Sequence, residues 1–191
     1  MLIIYILAYA LIVGFFLIER FVRQGKDTKN MKRTGHDKGS TTFVSAAMGT
    51  AFVLLIAAPF LIYWRIATFH CLWLGIVGLA AGAGGLAVRS VAFTTLGRFF
   101  SRTLRQTENH TLVTNGIYRY IRHPGYLSDF MIFIGAALAL GNLILIIIIP
   151  AVFIPAYMYR IHVEETMLLG IFGEQYAKYR KKSKRLVPFI F

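Results

Sequence analysis

The sequence predicts an all-α, polytopic integral membrane protein with five transmembrane helices, the last two forming a helical hairpin. Three observations predict it. Of 191 residues, 57% are hydrophobic and only 15% charged, with a mean hydropathy of +0.63. That is more apolar surface than a soluble domain of this size can hide. Apolar runs close to the ~20 residues that a span needs recur along the chain. Lysine and arginine gather in alternate connections, with seven in 19–42, one in 64–68, six in 89–122, none in the hairpin turn and seven in 160–191.

The first span is Met1 to Ile18, ending at Glu19-Arg20. It has neither a basic leading region nor a small-residue cleavage site, so it reads as a retained span and not a removed signal peptide. Residues 20–42 are a polar, basic loop with weak helical character. Phe43 to Trp64 is the second span, Arg65 marks a short turn, and Phe69 to Val88 is the third span, stopped by Arg89. Residues 94–122 are mixed and polar, and a connection of that length is usually functional. From Tyr126 to Tyr159 the chain carries a single charge, Asp129. Gly141-Asn142 divides this stretch into two arms, 126–140 and 143–159. Pro150 and Pro155 are expected to kink the second arm. Spans of about 1–18, 43–64, 69–88, 126–140 and 143–159 make one membrane domain of residues 1–191. The positive-inside rule then places loops 19–42 and 89–122 and the C-terminal tail in the cytoplasm, with the N-terminus outside the cell membrane.

The net charge of +13 would point to nucleic acid in a soluble protein. Here the cations sit between apolar segments, where they orient the chain and attract anionic lipid, so no nucleic-acid partner is expected. The lone cysteine, Cys71, can make neither an internal disulfide nor a zinc site, and no metal is expected. "GAGGLA" (Gly82 to Ala87) imitates a dinucleotide fingerprint, but it lies inside an apolar helix and not after a strand. Gly75, Gly78, Gly82 and Gly85 recur at three and four residues, the spacing of a close helix–helix contact. His70 reads as an interfacial histidine.

One polar cluster stands out. "NGIYRYIRHPGY" (Asn115 to Tyr126) places Arg119, Arg122, His123 and three tyrosines just before an apolar arm, and the other arm ends in "YRIHVEE" (Tyr159 to Glu165). The hairpin returns Arg160 and Glu164 to the level of Arg122 and His123. Arg160 and Glu164 are i,i+4 neighbours on one helix face, and Glu165 falls about 100° further round. His123-Pro124 is a favourable helix start that leaves amides free for a carboxylate or hydroxyl. Such a cluster can be an ordinary membrane-interface arrangement of basic and aromatic side chains, or a site where a water-soluble molecule meets a lipid-borne one.

"NHTLVTNGIYRYIRHPGY" (Asn109 to Tyr126), "RIHVEETMLLGIFGEQYAKY" (Arg160 to Tyr179) and "LVPFI" (Leu186 to Ile190), in that order, resemble the isoprenylcysteine carboxyl methyltransferases. The chain looks like a short prokaryotic relative. The resemblance covers about residues 100–191. It implies an S-adenosyl-L-methionine-dependent carboxyl O-methyltransferase that esterifies a lipid-linked cysteine carboxylate, with its active site on the cytoplasmic side. Carried over, the cofactor-binding residues would be Gln106, His110, Thr111, Leu112, Val113, Tyr118, His123, Pro124, Gly125, Tyr126 and Glu164. Arg160 would face a lipophilic acceptor arriving from the bilayer. Arg122 and Glu164, with Arg160, would be needed for turnover. Methylation of a phospholipid amine or another small lipophile, and a non-catalytic membrane scaffold, stay open as alternatives.

Overall fold

The computed structural model describes residues 1–24, 32–33, 38–97, 105–106 and 112–187. Five long helices, α1 (Leu2–Gln24), α2 (Ser40–Tyr63), α3 (Leu72–Leu96), α4 (Pro124–Leu140) and α5 (Leu143–Phe172), form a bundle, and a short α6 (Glu174–Lys182) follows. A 3-10 turn at Gly116–Arg119 precedes α4. Two-residue strands β1 (Lys32–Arg33) and β2 (Arg105–Gln106) pair antiparallel, Lys32 opposite Gln106, within connections that read as loops in the sequence. By length and composition, Leu2–Phe21, Ser40–Tyr63, Leu72–Leu96 and Leu143–Phe172 are long and apolar enough to cross a membrane. These four apolar helices mark an integral membrane protein. α4 is equally apolar but has 17 residues.

Three helices outrun the spans expected from sequence. α1 continues past Glu19-Arg20, α3 past Arg89, and α5 past Tyr159 to Phe172. A charge ends a span when lipid is its only neighbour. Here Glu19 and Arg89 are paired to each other inside the protein, so the helix need not stop to let them reach water. α5 also runs through Pro150 and Pro155 as one continuous helix.

α3 and α4 make the closest helix pair, because glycines let their backbones approach. A Cβ added at Gly78 would come within 2.5 Å of Gly135 O and 2.8 Å of Ala139 N. At Gly85 an added Cβ would meet Ile132 at 2.8 Å and Met131 at 2.9 Å. α1 packs on α3 and α4, and α2 on α5. Phe15, Phe133 and Phe153 are buried in the shared core. At one end of the bundle, the α2–α3 connection clasps the hairpin turn. Asn142 caps α5 through Ile144 N at 3.0 Å, and its amide donates to Ile66 O at 2.9 Å. Phe69 N donates to Gly141 O at 2.8 Å. Gly141 sits at φ +63, a left-handed conformation suited to glycine. The opposite end, where α2 and α4 begin, holds the polar cluster.

Gly78→Ala is expected to be destabilising by about 1–3 kcal/mol through overpacking against backbone atoms that cannot move aside. Gly49→Ala should be neutral or stabilising by up to ~1 kcal/mol, because an added Cβ meets nothing within 4 Å. Thermal unfolding in detergent measures both.

Candidate active site

The site is built around the start of α4. Pro124 occupies the first turn and His123 is the N-cap, so the helix begins with a residue whose φ is already helical and which has no amide to satisfy. The segment before it pairs in parallel with the chain after α6. Lys184 N donates to Tyr120 O at 2.9 Å, Arg122 N to Lys184 O at 2.8 Å, and His123 N to Arg185 O at 3.0 Å. The Arg122 side chain completes the clasp. Its Nε donates to Glu165 Oε1 at 2.8 Å, and its Nη1 to Arg180 O at 3.2 Å and to Ser183 O. A guanidinium thus takes carbonyls at the C-terminal end of α6, where a cation is favoured.

Glu164 and Glu165 are consecutive but serve different neighbours. Glu165 faces the clasp. Besides Arg122 it meets His123 Nε2 at 3.4 Å, Arg185 Nε at 3.4 Å and Arg180 Nη2 at 3.8 Å. Glu164 faces Tyr126, whose hydroxyl donates to its Oε2 at 2.5 Å. The same Tyr126 oxygen accepts from Arg160 Nε at 3.2 Å. Arg160 Nη1 donates to Ser40 Oγ at 2.8 Å and Thr41 Oγ1 at 3.0 Å at the start of α2. The His123 and Tyr126 rings stack, with centroids 5.5 Å apart and planes 10° from parallel.

Thr41, Arg122, His123, Tyr126, Arg160 and Glu164 line a cavity of about 510 Å³, a volume ordinary for a small-molecule site. A small apolar cluster of Phe93, Leu96, Val113 and Tyr118 contributes to it. An ion cluster contributes as well. Arg89 donates to Asp129 and Glu19, reaches Ser128 Oγ at 3.1 Å, and lies 4.3 Å from the Phe15 ring and 4.6 Å from the Phe93 ring. Tyr157 OH donates to Asp129 Oδ2 at 2.7 Å. α6 closes the cavity with Tyr176 and Tyr179. Burial pushes the Tyr179 phenol up to about 12, so near neutrality it stays a donor to Tyr118 O at 2.6 Å. Burial, followed by the Glu164 charge, likewise raises Tyr118.

The structure brings most of the sequence-derived site together. Leu112, Val113, Tyr118, Arg122, His123, Pro124, Gly125, Tyr126, Arg160 and Glu164 all line the one cavity. Gln106 lies in β2, where its backbone pairs with Lys32. His110 and Thr111 lie outside the described residues. The expected supply of amides at the start of α4 is narrower than the sequence implies. His123 N is bonded to Arg185 O, Tyr126 N turns back to His123 O at 3.2 Å, and Pro124 has none. Gly125 is left as the amide at this start.

Sequence reasoning missed Glu165 as a hub, the Ser40–Thr41 partners of Arg160, and the cluster of Glu19, Arg89, Asp129 and Tyr157. For the last a signal existed. Asp129 is the one charge between Tyr126 and Tyr159, and an ionisable residue inside an apolar span needs a named partner.

Residues 76–170 match the model of the isoprenylcysteine carboxyl methyltransferase (ICMT) family. The protein-S-isoprenylcysteine O-methyltransferase of Tribolium castaneum is 36% identical over 123 residues, covering 62% of this chain and 43% of that protein. The Dictyostelium discoideum enzyme of the same name is 32% identical over 148 residues, covering 73% and 61%. A solved structure of the eukaryotic intramembrane Ras methyltransferase ICMT superposes with a TM-score of 0.57 at 32% identity, covering 76% of this chain and 52% of that one. The chain spans about half the length of the curated relatives it matches.

Glu165→Ala removes the carboxylate shared by Arg122, His123, Arg180 and Arg185. Because the Arg122–Glu165 pair is buried, the loss is expected to reach about 3–5 kcal/mol. Thermal unfolding in detergent should show a clear fall in Tm. Lys178→Ala, at an exposed i,i+4 pair with Glu174, should leave Tm unchanged.

Proposed function

We propose that the chain belongs to the isoprenylcysteine carboxyl methyltransferase family, whose model matches residues 76–170, and that it is an S-adenosylmethionine-dependent carboxyl O-methyltransferase acting on a lipid-linked cysteine or a similar lipophilic acid. The observation that carries this reading is Tyr126. One phenol oxygen joins a guanidinium, Arg160, to a carboxylate, Glu164, on the wall of one cavity. The first suits an anionic acceptor and the second a cationic donor.

The residues present fit the cofactor. Val113, Leu96 and Phe93 offer apolar surface for a flat base, Glu164 a partner for a cationic or hydroxyl group, and the Gly125 amide a donor for a carboxylate. When bound, S-adenosylmethionine supplies a methyl group on a sulfonium, an electrophile. An acceptor carboxylate is ionised near neutrality, since an α-carboxyl titrates at about 3.5, so the chain need not supply a base. Arg160 would hold one carboxylate oxygen with its planar fork while the other attacks. Ser40, Thr41 and Tyr126 fix the orientation of that fork, and positioning of this kind is the main lever for an in-line displacement. Arg122 serves by holding α6 across the cavity, which keeps water from the reacting atoms. An amine acceptor would need a base. His162 is exposed and does not line the cavity, and His123 lies between Glu165 and the Tyr126 ring, so the carboxylate reading is favoured.

The membrane arrangement we propose has five spans, with α4 the fifth crossing segment. Its 17 residues rise ~26 Å against a hydrocarbon core of ~30 Å, and it is joined to α5 by a tight turn. Residues 1–191 form one domain in the cell membrane, with the cofactor-binding part in about 100–191. The basic connections put the active site in the cytoplasm and the N-terminus outside.

Substitutions and cysteine labelling test these proposals. Arg160→Lys should keep affinity for S-adenosylhomocysteine within a few-fold while labelled-methyl transfer to N-acetyl-S-farnesylcysteine falls 10-fold or more, about 1.4 kcal/mol of transition-state stabilisation. Glu164→Gln should weaken S-adenosylhomocysteine by a similar factor in calorimetry. Parent-like behaviour of both variants would remove these residues from the site, and a wild-type chain that binds no S-adenosylhomocysteine would be a scaffold. For topology, the exposed native Cys71 should react with an impermeant maleimide from outside the cell. Lys182→Cys in a Cys71→Ser background should react only in inverted vesicles.

A further inference from the structure

A phenol hydroxyl buried without a partner is unfavourable, and one such group stands at the cavity wall. Tyr126 OH donates to Glu164, Tyr157 OH to Asp129 and Tyr179 OH to Tyr118 O. Tyr176 lines the same cavity and is 1% exposed, yet its hydroxyl meets no hydrogen-bond partner among the described residues. The ring is firmly placed. α6 starts directly after Gly173, whose φ of +50 turns the chain at the end of α5. Tyr176 and Tyr179 are buried on one face of α6, while Lys178, Lys181 and Lys182 are exposed on the other. The two rings pack with centroids 5.9 Å apart. Arg122 holds the far end of the helix through the carbonyls of Arg180 and Ser183. The helix therefore sets a donor at the cavity wall and shields it from water.

We infer that the Tyr176 hydroxyl donates a hydrogen bond to the α-carboxylate of the methyl donor. The inference rests on the methyl-transfer reading above and adds a residue to its cofactor site. Position selects the carboxylate. Glu164 suits the donor's α-amine, and the carboxylate hangs from the same carbon as that amine, so it sits beside Glu164. Tyr176 belongs to this end of the cavity. Burial, followed by the charges of Glu165 and Glu164, raises its phenol, so both carboxylates act on it. The apolar surface for the base, Phe93, Leu96 and Val113, comes from α3 and the segment before α4. Protonation selects the same group. A raised phenol stays a neutral donor near neutrality, and it can hold an anion without neutralising Glu164, which is left for the amine. The Gly125 amide supplies a second donor. The contact also links closure to the ligand. Seating α6 alone buries the hydroxyl unsatisfied, and seating it over a carboxylate gives the hydroxyl a partner.

The test pairs two variants of the full chain with two ligands. S-adenosylhomocysteine carries the carboxylate, and S-adenosyl-3-thiopropylamine lacks only that group. In calorimetry, Tyr176→Phe should weaken S-adenosylhomocysteine at least 10-fold, the scale of a hydrogen bond to a charged group, and change the thiopropylamine by less than about 2-fold. Its Tm without ligand should equal or exceed that of the wild type, because the substitution removes only a buried hydroxyl that has no partner among the described residues. Tyr179→Phe, which loses the bond to Tyr118 O, should lower Tm and leave the ratio of the two affinities as in the wild type. Wild-type affinity for S-adenosylhomocysteine in Tyr176→Phe would overturn the inference and leave the methyltransferase reading intact. An equal loss on both ligands, or a lowered Tm with an unchanged ratio, would make Tyr176 a seat for α6 and overturn the carboxylate contact. A wild-type chain that binds neither ligand would overturn both the reading and the inference that rests on it.

Discussion

A guanidinium cannot be left to lipid, and three of them are held inside this bundle. Arg89 and Arg160 are each 4% exposed, and the Arg122 side chain is 8% exposed. Each must find its hydrogen bonds and counter-charge in protein. The partners come from different helices, so compensating the charge also assembles the fold. Arg89 draws α1, α4 and, through Asp129, Tyr157 of α5 around α3. Arg160 draws the start of α2 and Tyr126 of α4 to α5. Arg122 draws α5, α6 and the following chain to the start of α4. The apolar surfaces decide that helices form and associate, and the arginines decide which ends meet.

Two adjacent carboxylates divide the work this arrangement creates. Successive helical residues point about 100° apart. Glu165 therefore turns into the structural clasp while Glu164 turns toward the cavity. Glu164 retains 25% side-chain exposure against 5% for Glu165, and that difference separates a carboxylate able to meet a ligand from one already committed to three arginines and His123. Arg122 belongs with Glu165 on geometric grounds, although the sequence groups it with the reacting residues.

Much of the bundle was legible in the sequence because its signals are local. The hairpin turn at Gly141-Asn142, Pro124 at the start of α4, and the glycine row of α3 each follow from one residue type in one backbone role. Helix ends were less legible. Arg89 reads as a stop because its partners, Glu19 and Asp129, are 70 and 40 residues away, and no local pattern announces a pair at such separation. The same holds for Ser40 and Thr41, which read as ordinary helix-start residues until α5 brings Arg160 beside them. The motifs singled out residues that come to line one cavity. Their division between the clasp and the cavity face depended on directions that only the folded helices supply.

The parallel pairing of 120–123 with 184–185 bears on how the molecule is made. α1 to α5 all precede Lys184 in the chain, so they can pack while the cavity still lacks its cover. The contacts of Arg122 with the carbonyls of Arg180 and Ser183 seat α6. Until that segment is in place, Tyr176 and Tyr179 do not cover the cavity.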